Sequence, residues 1–524
     1  MLTGAKRTRL LALICVLAAA PGVASAQTAP GHGQKATEKR LDELKAMKKE
    51  MLRTMQDFDA RIKKLEAEIK ATPPAKVASA KAARSPAADT PADQSAATVN
   101  SLDAVALIPV GDVAKQDTKP SQNSDAAWGT YQPGKGFVAV RSKDGELDVS
   151  LIAYVRYLNQ LGLKSSYTDS FGRSFNLDLR QDVLLNKINL SFKGWLFDPN
   201  FEYRVWIWTQ NPAMGDPAQV VVGGHLGYHF ADYFNVFGGV APLPTTRSTN
   251  WTYPFWLKMD NRTIADEFFR GSYTFGFWAN GDITDTLAYR AMIANNLSAL
   301  GIDAAQLPPT FSTYSVALWW MPTTGEFGTG LGFGDYDYHE KPATMFGIHY
   351  TQSPETKQEQ PNVNDFENSQ IRLSDGTLLF SANPFNTGGT VEKADYHMAD
   401  ANAGIKYLGW SLETEAYARW INNFETIGPI PVTSLFDKGF QVQASAMAVP
   451  KELQFYAAGS KIYGQYGDPW DLTLGLNWYP FSRREMHINT EGIYLWHSPV
   501  GGPSYPYVVG GTGWICNTDF IVTF

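Results

Sequence analysis

Cysteine is almost missing from this sequence: its 524 residues include two, Cys15 and Cys516. Cys15 lies in an apolar stretch near the start that a signal peptidase would remove, so one thiol remains in the exported chain. A single thiol excludes an internal disulfide framework, and the fold must be stabilised by other means. We interpret Cys516 as a free structural thiol.

Long apolar runs are missing too. The run at residues 10–20 is well short of the roughly 20 residues that a membrane-spanning helix needs, and no later segment supplies such a run. Its basic start and the small residues before Gln27 instead fit a secretory signal peptide at residues 1–26. The sequence therefore predicts export from the cytoplasm and excludes membrane insertion through helices.

Catalytic motifs are missing as well. The eight histidines are scattered singly, without H-E-x-x-H, and there is neither a G-x-S-x-G element nor a phosphate-cradling glycine loop. Asp335, Asp337 and His339 are two residues apart, so on a strand they would point the same way and could collect a cation. The favoured alternative is an ordinary strand with one polar face. We therefore expect no enzyme, no cofactor and no metal site.

Charged residues are scarce at 19%, whereas aromatics reach 13% and glycines number 45, a composition that suits many strands and turns. The formal net charge of -7 is unevenly spread. Residues 27–143 are mildly basic, while residues 144–524 hold about 23 Lys plus Arg against about 38 Asp plus Glu. The large region is acidic, and we expect no nucleic-acid partner.

Two regions precede the large one. In residues 36–71, apolar residues recur in steps of three and four, which predicts a short coiled coil; the alternative is a lone amphipathic helix packing on its own chain. The predicted core positions are Leu41, Leu44, Lys48, Met51, Met55, Phe58, Ile62, Leu65 and Ile69. Residues 72–135 are rich in Ala and Pro and poor in large apolar groups, which predicts a disordered, flexible linker.

From residue 136 onward the apolar period changes to two. Residues 136–160 contain a Lys-Asp-Gly turn between two alternating runs, which indicates a hairpin. Later segments repeat the pattern, with one apolar face and one charged face, in NKINLSFKGWLF, NFEYRVWIW, WSLETEAYARW and DPWDLTLGLNWYP. A soluble sandwich would also alternate, so alternation alone leaves the fold class open.

Three features favour a transmembrane antiparallel β-barrel in residues 136–524. The strands run about 9 to 11 residues, aromatics lie at strand ends, and apolar faces continue without helices to cover them. Lipid can cover such faces, and backbone hydrogen bonding then requires closure. At roughly 20 to 25 residues per strand and connection, the region holds about 16 strands, with 18 as the alternative, enough for an aqueous lumen.

Six features of this region form a recognisable set. They are GFVAVRSKDGELDVSL at 136–151, GGVAPLPTTRSTNW at 238–251, IADEFFRGSYTFGFWANGDI at 264–283, RLSDGTLLF at 372–380, AGIKYLGWSLETEAYARW at 403–420, and a terminal phenylalanine. Together they resemble the phosphate-selective porin O and P family. The resemblance implies a sixteen-stranded, usually trimeric outer-membrane channel with a basic, anion-selecting lumen. The acidity of residues 144–524 departs from that pattern.

Alternation also indicates which charged residues could set the ion selectivity of the lumen. It points Glu202, Glu413 and Glu415 into the lumen together with several cations, so we expect a lumen of mixed charge. Residues 241–270 break the alternation with three prolines and predict either an inward-folded constriction or an ordinary outer loop. The candidate lumen and constriction charges are Lys187, Lys193, Arg204, Arg247, Lys258, Arg262, Arg270, Lys406 and Arg419.

The segment TDFIVTF at 518–524 places Phe520, Val522 and Phe524 on one apolar face, which we interpret as the last barrel strand and its assembly signal. The predicted function is passive diffusion of small hydrophilic solutes or ions through an outer-membrane porin whose N-terminal segment is periplasmic, with a preference for anions or phosphate as the finer expectation. The alternatives are a structural tether to the cell wall and, less favoured, a barrel enzyme. Expected partners are outer-membrane lipids, solutes, two further copies in a homotrimer, the barrel-assembly machinery and peptidoglycan.

Overall fold

The computed structural model describes Lys45 and residues 129–132, 135–210, 219–250, 252–258, 260–361, 369–502 and 504–524. The predicted signal peptide and, apart from Lys45, the predicted coiled coil lie outside these residues, as does most of the predicted linker. Within the part of the chain that is described, no helix is long and apolar enough to cross a membrane.

Sixteen antiparallel strands close into a barrel, as the sequence predicts. They are β3 (Gly145–Leu163), β6 (Gln181–Leu196), β7 (Asp198–Gln210), β8 (Gln219–Ala231), β9 (Phe234–Pro242), β10 (Tyr273–Thr284), β11 (Leu287–Ala294), β12 (Thr313–Trp320), β13 (Ala343–Thr356), β14 (Thr390–Tyr407), β15 (Trp410–Ile427), β16 (Leu435–Val449), β17 (Leu453–Tyr463), β18 (Trp470–Trp478), β19 (Met486–Trp496) and β20 (Gly513–Thr523).

Short elements complete the fold. The strands β1 (Tyr131–Gln132) and β2 (Gly136–Ser142) precede the barrel, and β2 pairs with the start of β3 in the predicted hairpin. A small hairpin outside the barrel pairs β4 (Ser166–Thr168) with β5 (Ser174–Asn176). The α-helix α1 (Ile264–Phe269) and 3-10 turns at Arg247–Thr249, Ala304–Gln306, Thr329–Leu331 and Lys357–Glu359 lie in connections between barrel strands.

The barrel closes where β20 pairs with β3. Asp519 lies opposite Arg156, and Phe520 lies opposite Val155. Phe524 extends this pairing, because its backbone N–H and C=O both bond to Leu151, at 2.9 and 2.6 Å. Closure satisfies the backbone of both terminal strands, which an open edge would leave exposed.

The two faces of the barrel differ as the alternation predicts. Along β15 and β18, Leu412 and Leu474 lie outside with half or more of their surface exposed, while Glu413 and Asp471 between them are buried inside. Trp410 at the start of β15 and Trp420 further along it are also exposed on the outer face. An apolar outer wall therefore surrounds a polar interior.

The two ends of the barrel also differ. At one end the strands are joined by short turns, at 197, 232–233, 285–286, 408–409, 450–452 and 479–485. The other end carries most of the long loops. The inner loop, residues 243–272 between β9 and β10, enters the interior from the loop end. The long turn, residues 321–342 between β12 and β13, enters it from the short-turn end.

Candidate functional site in the barrel interior

The inner loop fills much of the interior. Apart from the half-buried Tyr253, Phe255 and Trp256, its described residues are buried. Helix α1 begins at a Thr263 cap, whose hydroxyl accepts from the Asp266 N–H. The ring of Phe269 stacks on Tyr417 of β15, with 5.0 Å between centroids. The prolines that break the strand pattern thus lead into a segment that packs against the inside of the wall.

Lys187 anchors the inner loop to β6. Its Nζ lies 3.1 Å from Asp260 Oδ1 and 4.7 Å from the centroid of the Trp208 ring on β7. The Tyr154 hydroxyl of β3 donates to the same carboxylate. This predicted lumen cation therefore binds a carboxylate of the inner loop.

Arg247 and Lys258 belong to the inner loop and reach the opposite wall. The Arg247 guanidinium donates to Glu413 on β15 at 2.6 and 2.8 Å, and its backbone N–H donates to Glu415 at 2.7 Å. Lys258 donates to the Thr473 hydroxyl on β18, with Glu491 of β19 3.9 Å away. Carboxylates that alternation points inward are thus the partners of the loop's cations.

Arg262 and Arg270 form ion pairs within the inner loop. Both contact Glu267, Arg262 at 3.4 Å and Arg270 at 2.9 Å from its Nε. Arg262 also lies over the Trp256 ring at 4.1 Å, and Arg270 donates to the Tyr505 hydroxyl at 2.8 Å. These cations hold the loop's own conformation.

Arg419 plays a similar part on β15. It pairs with Asp437 of β16 at 2.6 Å and lies 3.9 Å from the centroid of the Phe268 ring of α1. It also donates to the Phe268 carbonyl at 3.3 Å. Arg419 therefore links the wall to the inner loop.

Lys193 and Arg204 differ from the others because they are only partly buried. Lys193 lies 3.8 Å from Glu202, and Arg204 donates to the Ser191 hydroxyl at 3.2 Å beside the Trp206 ring. Glu202 also contacts His229 at 3.1 Å. These side chains face the interior near the short-turn ends of β6 and β7.

The long turn was not identified from the sequence as a part of the site. Lys406 of β14 donates to its Phe327 carbonyl at 2.8 Å and to its Gly332 carbonyl, and the ammonium lies 4.3 Å from the Phe327 centroid. The glycines and alternating polar residues of the long turn are also typical of a strand flanked by loops, so they do not identify a turn that enters the interior. Only the length of a connection at the short-turn end would have distinguished it.

Asp335, Asp337 and His339 lie in this long turn, so the expectation that they share one face of a strand is wrong. His339 Nδ1 bonds to Asp335, whereas Asp337 accepts from the Thr329 N–H at 2.9 Å. Among the residues that the structure describes, no group of His, Cys, Asp and Glu side chains is arranged to hold a metal. The trio therefore ties the turn together.

His339 gives the long turn a pH-dependent contact. Burial lowers its pKa, but hydrogen bonds to Asp335 and Glu326 outweigh burial and raise the pKa to about 9. Because the pKa of His339 is higher in the folded state than its unfolded value of 6.5, the protonated imidazole stabilises the folded state. This stabilisation is fully present below pH 6.5 and is lost as the pH rises through about 9. Lys406 of the wall borders the same space at Gly328 as His339 and Asp337, and its charge is one of those that lower the pKa of Asp337.

We expect His339→Gln to lower the melting temperature at about pH 6 and to have a much smaller effect at about pH 10, where the wild-type imidazole is neutral. Melting curves across this range, followed by tryptophan fluorescence, measure the difference. His397→Gln is the matched control, since His397 is exposed and contacts a tyrosine hydroxyl. A difference that grows with pH would contradict the ion-pair role of His339.

No protein-family model matches the chain, and the comparison with curated proteins gives no match. Among solved structures, the chain is similar to outer-membrane expressed OmpT of Vibrio cholerae, with 8% identity and a TM-score of 0.43 over 73% of this chain and 99% of that one. It is also similar to an anion-selective porin from Comamonas acidovorans, with 10% identity and a TM-score of 0.43 over 73% and 100%. A third similar structure is the outer membrane channel DcaP of Acinetobacter baumannii, with 7% identity and a TM-score of 0.43 over 73% of this chain and 99% of that one.

Proposed function

We propose that this protein is a passive diffusion channel of a Gram-negative outer membrane, with small hydrophilic solutes or ions as its cargo. The observation that carries the proposal is the closed sixteen-stranded barrel with an apolar outer wall and a charged interior. A barrel of this strand number has a lumen wide enough for water, and its outer face is suited to lipid. The inner loop then acts as a constriction.

Orientation follows from the two ends. In barrels of this class the short turns lie on the periplasmic side and the long loops lie outside the cell. We therefore place the N-terminal segment and the entrance of the long turn on the periplasmic side, and the entrance of the inner loop on the external side. Assembly into a homotrimer and contact with peptidoglycan stay predictions. Recognition by the barrel-assembly machinery, with Phe520, Val522 and Phe524 as the signal, also stays a prediction.

A preference for anions, phosphate included, is the finer part of the proposal. Paired charges cancel much of each other's field, and Arg247, Arg270 and Arg419 each contact a carboxylate at 2.6 Å or less. Lys406 differs because its ammonium bonds to carbonyl oxygens. We therefore expect an anion preference of modest size, with Lys406 as its main source.

Planar-bilayer recording tests both parts. Purified protein should give discrete conductance steps, and a KCl gradient should give a reversal potential of the sign expected for chloride. Detergent without protein and a heat-unfolded sample are the controls. Absence of steps would overturn the channel, whereas a cation-type reversal potential would overturn only the anion preference.

A further inference from the structure

The long turn is much longer than the other connections at the same end of the barrel. The other connections at its end span between one residue, at 197, and the seven of 479–485, whereas the long turn spans 321–342. A connection of this length is usually functional when it is ordered. The turn lies inside the barrel and not beyond its rim, because five of its side chains are buried: Phe327, Leu331, Phe333, Asp335 and Tyr336.

The buried side chains show the path of the long turn. Phe327 and Leu331 pack on the inner faces of β11, β12 and β13, in a cluster that includes Trp319 and Met345. Phe333 then packs with Tyr456 of β17. Tyr336 packs beside Tyr479 after β18, with ring centroids 4.7 Å apart. The turn thus leaves one part of the wall and reaches another several strands away.

On this path the long turn meets the inner loop. The Phe333 N–H donates to the Phe255 carbonyl of the inner loop at 2.7 Å, and Arg247 lies 4.2 Å from the centroid of the Phe333 ring. The approach at Gly332 is close, since a Cβ there would lie 2.5 Å from the Phe255 Cβ. Two segments from opposite ends of the barrel therefore touch in its interior.

Glu413 of β15 holds both segments at this junction. One carboxylate oxygen accepts from Arg247 of the inner loop at 2.6 Å, and the other accepts from the Gly334 N–H of the long turn at 3.1 Å. Lys406 on the neighbouring strand holds the carbonyls on either side of the Thr329–Leu331 turn. Near the rim, Asp335 accepts from the Gly409 N–H at 2.7 Å.

We propose that the long turn is a second constriction, which enters from the short-turn end and sets the narrowest passage jointly with the inner loop where Phe333 meets Phe255. This inference rests on the proposed channel function. Solutes that leave the inner loop must pass the turn held by Lys406 and Glu413. At Gly328 and Gly334 the backbone of the turn also lies close to the wall, because a Cβ there would lie 3.3 Å from Lys406 Nζ and 2.6 Å from Gln454 Nε2.

The main experiment replaces residues 323–341 with Asn-Gly, which shortens the connection between β12 and β13 to five residues. We expect a severalfold larger single-channel conductance and a higher size limit for neutral sugars in liposome swelling. If wild-type protein conducts and the folded variant matches it in both measurements, the second constriction is overturned while the channel stands. If wild-type protein does not conduct, the channel itself fails.

Point variants keep the test informative should the shortened barrel fail to fold. Lys406→Met removes the ammonium that holds the two turn carbonyls, so the long turn should fluctuate and the channel should show frequent steps to a larger conductance. Lys357→Met is the matched control, because Lys357 lies outside the interior and pairs with Glu392 at 2.9 Å with both side chains well exposed. Identical traces for wild type and both variants would overturn the proposal.

Discussion

Asp519→Ala is expected to lower the free energy of unfolding by about 3–5 kcal/mol, the usual cost of leaving one member of a buried ion pair without its partner. Asp519 and Arg156 lie opposite each other on β20 and β3, at the closing seam, and both side chains are 0% exposed. The carboxylate accepts from Arg156 at 2.7 and 3.1 Å. Its removal leaves a buried guanidinium, which is too basic to lose its charge.

The same guanidinium joins three parts of the molecule. Besides Asp519, it donates to the Ser504 carbonyl of the loop between β19 and β20 at 2.8 Å and to the Asn261 side chain of the inner loop at 3.4 Å. Asp519→Ala should therefore weaken the seam, the β19–β20 loop and the inner loop together. The whole unfolding transition should then shift to lower denaturant concentration.

Chemical unfolding in detergent micelles, followed by tryptophan fluorescence, measures this loss. Glu392→Gln is the matched control, since it breaks an exposed pair with Lys357 and should cost less than about 1 kcal/mol. Arg156→Met combined with Asp519→Leu should be less destabilised than Asp519→Ala alone, because no charge remains buried. A loss in Asp519→Ala no larger than the control's would contradict the importance of the seam.

The barrel could be predicted from the sequence because its determinants are local. A period of two over about ten residues fixes which side chains face inward, and Glu413, Glu415 and Arg419 are on the interior face as that period requires. Backbone closure then follows from the apolar outer face, since an open edge in lipid is too costly. Strand number followed from length alone.

The pairing of the interior charges could not be predicted in this way. Arg247 and Glu413 are 166 residues apart in the chain, and Arg156 and Asp519 are 363 apart. Alternation gives the face of each residue but neither its height in the barrel nor the path of a loop beside it. Lys187 and Lys406 of the wall, for example, bond to the inner loop and to the long turn.

The long turn was missed for a related reason. Its residues Asp335, Asp337 and His339 mimic the alternation of a strand, while Gly328, with a φ of 84°, bends the backbone in a way that alternation does not report. A periodic pattern identifies a strand only where each residue is extended. The length between the flanking strands was the remaining signal.

Replacement of the inner loop, residues 245–270, with a short Gly-Ser linker should have the largest effect on transport. The loop fills the interior from β9 across to β19, so its removal should raise single-channel conductance severalfold. It also removes Arg247 and Lys258, the cations nearest Glu413 and Glu491 of the wall, and Asp260, the partner of the wall's Lys187. The replaced segment carries four basic and three acidic side chains, so the emptied lumen gains a small excess of carboxylates, and the reversal potential should shift toward cations.

The matched control replaces the exposed loop 428–434 at the same end with the same linker, which should change neither conductance nor reversal potential. Circular dichroism and resistance to unfolding in unheated gels would show that each barrel is folded. Because the added carboxylate field is screened by salt, the shift toward cations should be larger in dilute KCl than in molar KCl. A folded barrel without the inner loop that conducts no better than wild type would mean that the loop does not limit the passage, and the long turn would then have to carry that resistance alone.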